Sequence, residues 1–303
     1  MKKIFILGPA YPYRGGIAAF SERLAQSFIA QGFAVEIYTF SLQYPNFLFP
    51  GKSQFSDDAP PKNLTIHRAI NAINPLNWVQ VGRKIAAEAP DLVIWQFWLP
   101  FMGPCFGTIN RFIKRNKSTQ IISILHNIIP HEKRIGDHQF TQYFINSCDG
   151  FVSLSKSVLN DLSVFTNNQN KTYIPHPVYD NFGKKLAKDE ARQWLKLLPN
   201  DKIILFFGLV RPYKGLDILL EAMADQRIKA ANIKLLIAGE YYDDPSTYKA
   251  IIDQHNLHDS IIAVPNFIPN DEVRYYFCAA DIVVQPYKTA TQSGITQVAY
   301  HFD

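Results

Sequence analysis

Short apolar runs alternate with amphipathic segments along most of the chain, and this alternation limits the fold more than any other feature of the sequence. The run 4–7 precedes a segment in which Phe20, Leu24 and Phe28 recur at helical spacing, and Gly32 ends that segment. Further apolar runs occupy 34–40, 92–95, 121–125, 151–154, 203–207, 233–238, 261–264 and 282–285. Near-continuous apolar strands separated by helices indicate parallel sheets covered on both faces. The sequence therefore predicts an α/β protein.

The alternation stops in a polar, lysine-containing stretch and then restarts, which indicates two domains. We predict a first domain over 1–178, a junction over 179–199 and a second domain over 200–303. The most apolar stretch runs from Leu92 to Ile109, but Gln96, two prolines and two glycines interrupt it. We expect a buried strand followed by a loop there, rather than a membrane span.

The cysteines and the N-terminus limit the kinds of site and the cellular compartment that we expect. Cys105, Cys148 and Cys278 lie far apart, so neither a zinc site nor a disulfide framework is expected. The apolar run at the N-terminus is too short for a secretory signal, and we expect a cytoplasmic protein.

Residues 1–185 carry 19 Lys and Arg against 11 Asp and Glu, whereas 186–303 carry 12 against 15. The basic first half suits either an anionic membrane surface or phosphate-bearing substrates, or it is a scatter of solvated lysines. No dense basic run points to nucleic acid.

Three loops that follow predicted strands contain candidate site residues. Gly15 and Gly16 lie between the first strand and the first helix, where a tight turn or an anion-binding loop is expected. Arg211 and Lys214 follow the strand 203–207 beside a glycine, where they are either diphosphate ligands or exposed cations. His126 follows the strand 121–125 and is either a substrate contact or a structural histidine.

Taken together, these stretches resemble the family 4 glycosyltransferases of the GT-B fold. The segments that carry the resemblance are the Gly15-Gly16 loop, Gly208–Asp217, Leu235–Glu240, Pro265–Val273 and Ala279–Tyr287. The resemblance implies two Rossmann-like domains facing a cleft, with a nucleotide-sugar donor bound by the second and a glycan or lipid-linked acceptor bound by the first. It also implies transfer that retains the anomeric configuration, without a metal or other cofactor. The sequence independently lacks an Asp-x-Asp pair for a divalent cation.

The resemblance also assigns roles to residues. It implies catalytic roles for His126, Arg211 and Lys214, with the two cations neutralising the departing diphosphate. The implied donor-binding residues are Gly16, Gly208, Gly239, Glu240, Phe267, Ile268, Gln292, Ser293, Gly294 and Ile295. The implied acceptor-binding residues are Arg14 and Gly15.

Two departures from the family pattern keep other functions open. Thr291 and Ala299 stand where the family has two glutamates, and the Gln292-Ser293-Gly294 signature of a subgroup is present instead. Members also continue for several dozen residues beyond this point, so we expect an incomplete second domain. We expect a hexosyltransferase of surface polysaccharide synthesis, working in the cytoplasm or peripherally at the inner face of the membrane. The alternatives are a non-catalytic nucleotide-sugar-binding protein and a sugar-nucleotide epimerase.

Overall fold

The structure, a computed structural model, describes residues 2–45, 53–56, 58–130, 134–290 and 293–302. The chain divides into two compact units, and the chain passes from the first to the second between His176 and Pro177. The segment 179–199, for which we predicted a junction, lies within the second unit.

The first unit is built on a seven-stranded, fully parallel sheet with the order β3-β2-β1-β4-β5-β6-β7. Its strands are β1 (Lys3–Leu7), β2 (Ala34–Leu42), β3 (Thr65–Asn71), β4 (Leu92–Phe97), β5 (Gln120–Leu125), β6 (Gly150–Ser153) and β7 (Lys171–Tyr173). Its helices are α1 (Gly16–Ala30), α2 (Pro75–Glu88), α3 (Gly103–Ile113), α4 (Asp137–Ile145) and α5 (Lys156–Leu162). The strand order reverses between β1 and β4, and in open α/β sheets ligands bind outside the carboxyl ends of the strands at such a point.

Aromatic side chains fill the space between this sheet and its helices. Trp95 stacks on Phe106 with 4.0 Å between ring centroids, and Phe97 stacks on Phe144 at 4.6 Å. All four side chains are fully buried. Much of the 14% aromatic content therefore serves the core, because large rings bury the most apolar area for each residue.

The stretch from Leu92 to Ile109 differs from our prediction of a strand and a loop. The strand ends at Phe97, and α3 begins at Gly103 with a proline in its first turn. A Cβ atom at Gly103 would collide with the backbone of Phe140 on α4, and one at Gly107 would lie 2.6 Å from the ring of Tyr143. The glycines that suggested a loop are therefore the residues that let α3 and α4 pack closely together.

The second unit has a four-stranded parallel sheet with the order β10-β9-β8-β11. Its strands are β8 (Lys202–Phe207), β9 (Ile233–Ala238), β10 (Ile261–Val264) and β11 (Ile282–Val283). Its helices are α6 (Lys188–Trp194), α7 (Leu216–Met223), α8 (Gln226–Ala230), α9 (Ser246–Gln254), α10 (Val273–Ala279) and α11 (Gly294–Phe302). The strand order reverses between β8 and β11, which again places the expected ligand position at the loops that follow these two strands.

A buried arginine attaches α6 to the second sheet. Arg192 is 4% exposed and donates hydrogen bonds to the carbonyl oxygens of Ala279 and Pro199. It also donates to a carboxylate oxygen of Asp281 at 3.0 Å, and the other oxygen of that carboxylate accepts from Lys188 at 2.8 Å. A buried guanidinium with all these partners fixes the start of the second unit against β11.

The architecture confirms the prediction of an α/β protein with parallel sheets. The strands β3 and β7 and the helices α3, α4, α5 and α8 are additions to the predicted elements. Among the residues that the structure describes, no helix is both long and apolar enough to cross a membrane.

Candidate functional site

The loop after β8 turns back sharply because of two glycines in the left-handed region. Gly208 has φ of +97° directly after the strand, and Gly215 has φ of +71° directly before α7. Between them Pro212–Lys214 forms one 3₁₀ turn. A side chain at Gly215 would collide with the carbonyl of Pro286, which follows β11. The two loops that flank the reversal of strand order are therefore in direct contact.

Lys214 is a buried cation at the centre of this contact. The residue is 8% exposed, and its Nζ lies 3.0 Å from the position that a Cβ of Gly208 would occupy. Nζ also lies 5.7 Å from the ring centroid of Tyr287. No described residue offers Lys214 a carboxylate or a hydrogen-bond acceptor. Burial, reinforced by the positive charge of Arg211, lowers the pKa of Lys214 to about 8.

Arg211 supplies a second positive charge at the same loop. Its guanidinium carbon lies 5.1 Å from the ring centroid of Tyr242, so the ring supports one face of the guanidinium group. Like charges as close as Arg211 and Lys214 repel one another. A doubly charged anion bound between them would relieve this repulsion and compensate the burial of Lys214.

The start of α11 lies beside the same loop. The side chain of Ile295 would be 3.5 Å from a Cβ atom at Gly208, and Gly294 is the first residue of the helix. Ser293 lies 3.5 Å from the hydroxyl of Tyr287, oxygen to oxygen. Backbone N–H groups at a helix N-terminus favour anions, so α11 adds to the attraction of the two cations. Of the predicted signature, Gln292 lies outside the described residues.

An ion pair connects the two loops on their exposed side. Lys288, which follows β11, donates to Asp217 of α7 at 2.6 Å, and its backbone N–H donates to the carbonyl oxygen of Tyr213 at 2.8 Å. Gln285 and Thr296 exchange hydrogen bonds of 3.1 and 3.2 Å, which attach α11 to the same segment. These contacts hold Lys214 and the start of α11 in one place before any ligand binds.

The other predicted donor residues follow the neighbouring strands. Gly239 follows β9 and passes so close to the backbone of Gly208 that a side chain would not fit. Glu240 is 2% exposed, and its carbonyl oxygen accepts a hydrogen bond from Val210 at 2.9 Å. The loop after the edge strand β10 contains the half-buried Phe267 and the buried Ile268. All of them lie at the carboxyl edge of the second sheet.

In the first unit, the glycine-rich loop after β1 contains Arg14, Gly15 and Gly16. Gly15 caps α1 with φ of +111°, and both Gly15 and Gly16 are exposed. The backbone N–H of Arg14 donates to the carbonyl oxygen of Gln54 at 3.1 Å. The loop therefore presents the N-terminus of a 15-residue helix at the carboxyl edge of the first sheet.

His126 follows β5 at the same edge and is held by a residue that the sequence did not reveal. Its Nε2 donates to the side-chain oxygen of Gln96 at 2.6 Å, and its ring contacts Phe20 edge to face. Gln96, the last residue but one of β4, is fully buried and packs against Gly8, whereas its side-chain Nε2 has no partner among the described residues. Burial, together with the charge of His176, lowers the pKa of His126 to about 3. The imidazole is therefore neutral at physiological pH.

The described residues contain no cluster of three or more His, Cys, Asp and Glu side chains arranged to hold a metal ion. The metal independence that the resemblance implies remains a prediction.

Comparisons with known proteins give a family match for part of the second unit. Residues 187–296 match the family described as Glycosyl transferases group 1. A GDP-mannose:glycolipid 4-beta-D-mannosyltransferase of Xanthomonas campestris pv. campestris is 24% identical over 188 residues, which cover 60% of this chain and 47% of the relative. The match therefore spans about half the length of that curated relative.

Solved structures show the fold across nearly the whole chain. Sucrose-phosphate synthase from Thermosynechococcus elongatus superposes with a TM-score of 0.73 at 16% identity, covering 97% of this chain and 78% of that one. HepE of Anabaena, in complex with UDP and glucose, superposes with a TM-score of 0.70 at 13% identity, covering 98% and 78%. Residues 187–296 therefore match the glycosyl transferases group 1 family, and the chain has the GT-B fold of these solved glycosyltransferases.

Proposed function

We propose that this chain transfers a hexose-type sugar from a nucleotide-sugar donor to a glycan or lipid-linked acceptor, with retention of the anomeric configuration. The observation that carries the proposal is Lys214, a buried ammonium beside Arg211 and the start of α11 without a carboxylate partner among the described residues. Burying such a charge is costly unless an anion compensates it. The diphosphate of a nucleotide sugar has the charge and the size for this position.

The same groups would assist the chemical step. In transfer, the bond between the anomeric carbon and the diphosphate oxygen breaks, and a new bond to the acceptor hydroxyl oxygen forms. The acceptor hydroxyl proton passes to the departing diphosphate, on which negative charge develops. Lys214 and Arg211 are in place before the reaction and stabilise that charge more strongly than the charge of the intact donor. This role is commonly filled by a divalent cation, and we propose that the two side chains replace it.

We propose that His126 contacts a hydroxyl group of the transferred sugar. A neutral imidazole, held in one orientation by Gln96, is suited to hydrogen bonding rather than to proton donation. His126→Ala should then lower turnover more than donor affinity. An equal loss of both would show that the residue only positions the donor.

Assignments for the remaining predicted residues complete the proposal. Donor recognition is assigned to residues of the loops after β8, β9 and β10 and to residues at the start of α11. These residues are Gly208, Gly239, Glu240, Phe267, Ile268, Gln292, Ser293, Gly294 and Ile295. Gly16 is assigned to the phosphate or the acceptor, and Arg14 and Gly15 to the acceptor. The glycolipid acceptor in the name of the Xanthomonas relative supports a lipid-linked acceptor and a role in surface polysaccharide synthesis, at the cytoplasmic side of a membrane.

The experiment that tests the function incubates the purified chain with UDP-, GDP- and ADP-sugars, with and without EDTA, and measures release of the free nucleotide. Release from one donor class that EDTA does not reduce, and that is lost in Lys214→Met, supports the proposal. Ala299 in place of a family glutamate favours one alternative, a non-catalytic nucleotide-sugar-binding protein. Tight binding of a nucleotide sugar without any release or transfer would support that alternative. Interconversion of the free nucleotide sugars would instead indicate an epimerase.

A further inference from the structure

The outer surface of α2, α3 and α4 in the first unit combines arginines with exposed aromatic rings. We define the arginine–aromatic face as Arg83, Arg111, Phe112, Arg115, Phe140 and Tyr143. Between residues 103 and 117 the sequence has four cations, Arg111, Lys114, Arg115 and Lys117, and no acidic residue. None of these residues belongs to the proposed donor and acceptor sites.

The close packing of α3 and α4 builds this face. Since Gly107 has no side chain, the ring of Tyr143 lies directly against α3. The guanidinium carbon of Arg111 is then 3.7 Å from the centroid of that ring. Arg111 also donates to the carbonyl oxygens of Gly107 and Tyr143, at 2.7 and 3.0 Å. Its partners are neutral, so its positive charge is not compensated.

A second pair of arginines lies on either side of Phe112. The guanidinium carbon of Arg115 is 4.2 Å from the ring centroid of Phe112, and that of Arg83 is 5.6 Å from it. Among the described residues, no carboxylate forms an ion pair with Arg83, Arg111 or Arg115. Lys114, in contrast, is paired with Asp149 at 2.6 Å, and we leave it out of the face.

Apolar side chains project from the same helices. Phe140 is 40% exposed and Tyr143 is 38% exposed, and Ile135, just before α4, is fully exposed. Contact between apolar side chains and water is unfavourable, and several exposed apolar side chains close together mark an interaction surface. Aromatic rings next to arginines suit the interface of a bilayer, where the ring enters the headgroup layer and the cation meets lipid phosphate.

From this arrangement we propose that the arginine–aromatic face binds the surface of an anionic phospholipid bilayer. The commitment to a bilayer rests on charge complementarity combined with exposed rings, because a nucleic acid or an acidic peptide would use the arginines but leave Ile135 and Phe140 in water. The inference extends the proposed function, which includes a role at the cytoplasmic side of a membrane, by naming the surface that contacts the bilayer. Its failure is distinguishable from a failure of the proposed transfer, since binding to the bilayer needs no donor or acceptor.

The test is sedimentation of the purified chain with phosphatidylcholine vesicles, with and without roughly a third of phosphatidylglycerol. We expect binding to the anionic vesicles, weak binding to the neutral ones, and a decrease with added salt. The double variant Arg111→Gln, Arg115→Gln should bind the anionic vesicles roughly 25-fold less tightly, since each cation near the surface contributes about fivefold.

A matched control removes the same charge elsewhere. Lys202→Gln combined with Lys249→Gln changes two exposed lysines of the second unit and should bind the vesicles like the wild type. Tyr143→Ser should weaken binding even at high salt, because it removes the apolar contribution. The proposal is overturned by absence of binding to anionic vesicles, by equal binding to both vesicle types, or by an equal effect of the two double variants. Circular dichroism of each variant establishes that it is folded, so loss of binding cannot be attributed to unfolding.

Discussion

Replacement of Lys214 by methionine should make the unliganded protein more stable and its nucleotide binding weaker. Methionine has a similar length and volume but no charge, so it removes the buried ammonium without leaving a large cavity. The pKa of Lys214 is lowered from 10.5 to about 8, a difference of about 2.5 units. At about 1.4 kcal/mol for each unit, the folded state of the wild type loses roughly 3 kcal/mol by keeping this lysine protonated. We therefore expect Lys214→Met to raise the free energy of unfolding by about 1–3 kcal/mol at pH 7.

The two effects have opposite signs, which separates a ligand site from a structural lysine. Charge-assisted hydrogen bonds contribute about 1.5–3 kcal/mol, so the variant should bind its nucleoside diphosphate roughly 10- to 150-fold less tightly. Urea unfolding followed by circular dichroism gives the stability, and calorimetric titration gives the affinity. Lys202→Met, which removes an exposed lysine, is the control and should change neither value much. A variant that is less stable than the wild type and binds nucleotide equally well would show that Lys214 is a structural lysine and holds no diphosphate.

The pH dependence gives the same prediction a second readout. Between about pH 8 and 10.5 the unfolded chain still holds the proton of Lys214, whereas the folded chain has released it. Stability rises with pH wherever the unfolded state binds more protons, so this contribution increases the stability of the wild type over that window. The stability advantage of Lys214→Met should therefore shrink from pH 8 to 10.5. An advantage that does not change over the window would contradict the assignment.

Four further predictions concern other parts of the molecule. Gln96→Glu places a carboxylate at Nε2 of His126 and should raise the pKa of that histidine from about 3 by about 1–3 units, measured by NMR titration; an unchanged pKa would disprove the contact. In the wild type, the neutral His126 should make unfolding easier as the pH falls from about 6.5 towards 3, because the unfolded state then binds the additional proton, and His126→Gln should remove this dependence. Gly215→Ala should cost about 2 kcal/mol of stability, measured by urea unfolding, because φ of +71° and the neighbouring backbone both exclude a side chain; a variant as stable as the wild type would contradict this. Arg192→Met should destabilise the second unit by about 2–3 kcal/mol, because it leaves buried carbonyl oxygens and Asp281 without their guanidinium partner. Thermal unfolding measures this loss, and a variant that unfolds at the same temperature as the wild type would show that these hydrogen bonds contribute little.

The strands were the most predictable part of the fold. The predicted runs 233–238 and 261–264 coincide with β9 and β10, because buried parallel strands are continuously apolar. The strand β3 was not predicted, since its sequence from Thr65 to Asn71 mixes charged and apolar residues at an exposed sheet edge. Helix α3 was predicted as a loop because Gly103 and Gly107 were interpreted as breaks, whereas the structure uses them as close contacts with α4. Such contacts depend on the tertiary structure and leave no local signal.

The candidate site was predictable where a motif places several residues together. The segment from Gly208 to Asp217 predicted that Lys214 and Arg211 lie at the end of a strand, and the structure places them there. The burial of Lys214 and the ion pair between Lys288 and Asp217 could not be predicted, since both depend on how the loop after β11 packs. Gln96 was interpreted only as an interruption of an apolar stretch. Its role becomes visible when β4 and β5 lie side by side and bring it to His126.

The most direct test of the central claim is calorimetric titration of the wild-type chain with UDP, GDP and ADP, in buffer with EDTA and in buffer with magnesium. We expect that one of these diphosphates binds, that EDTA does not weaken the binding, and that Lys214→Met weakens it at least tenfold, which corresponds to about 1.4 kcal/mol. Binding that requires magnesium, or that is the same in the wild type and in Lys214→Met, would contradict the claim that the buried lysine holds the diphosphate. Absence of binding by all three diphosphates would contradict the proposed donor site itself.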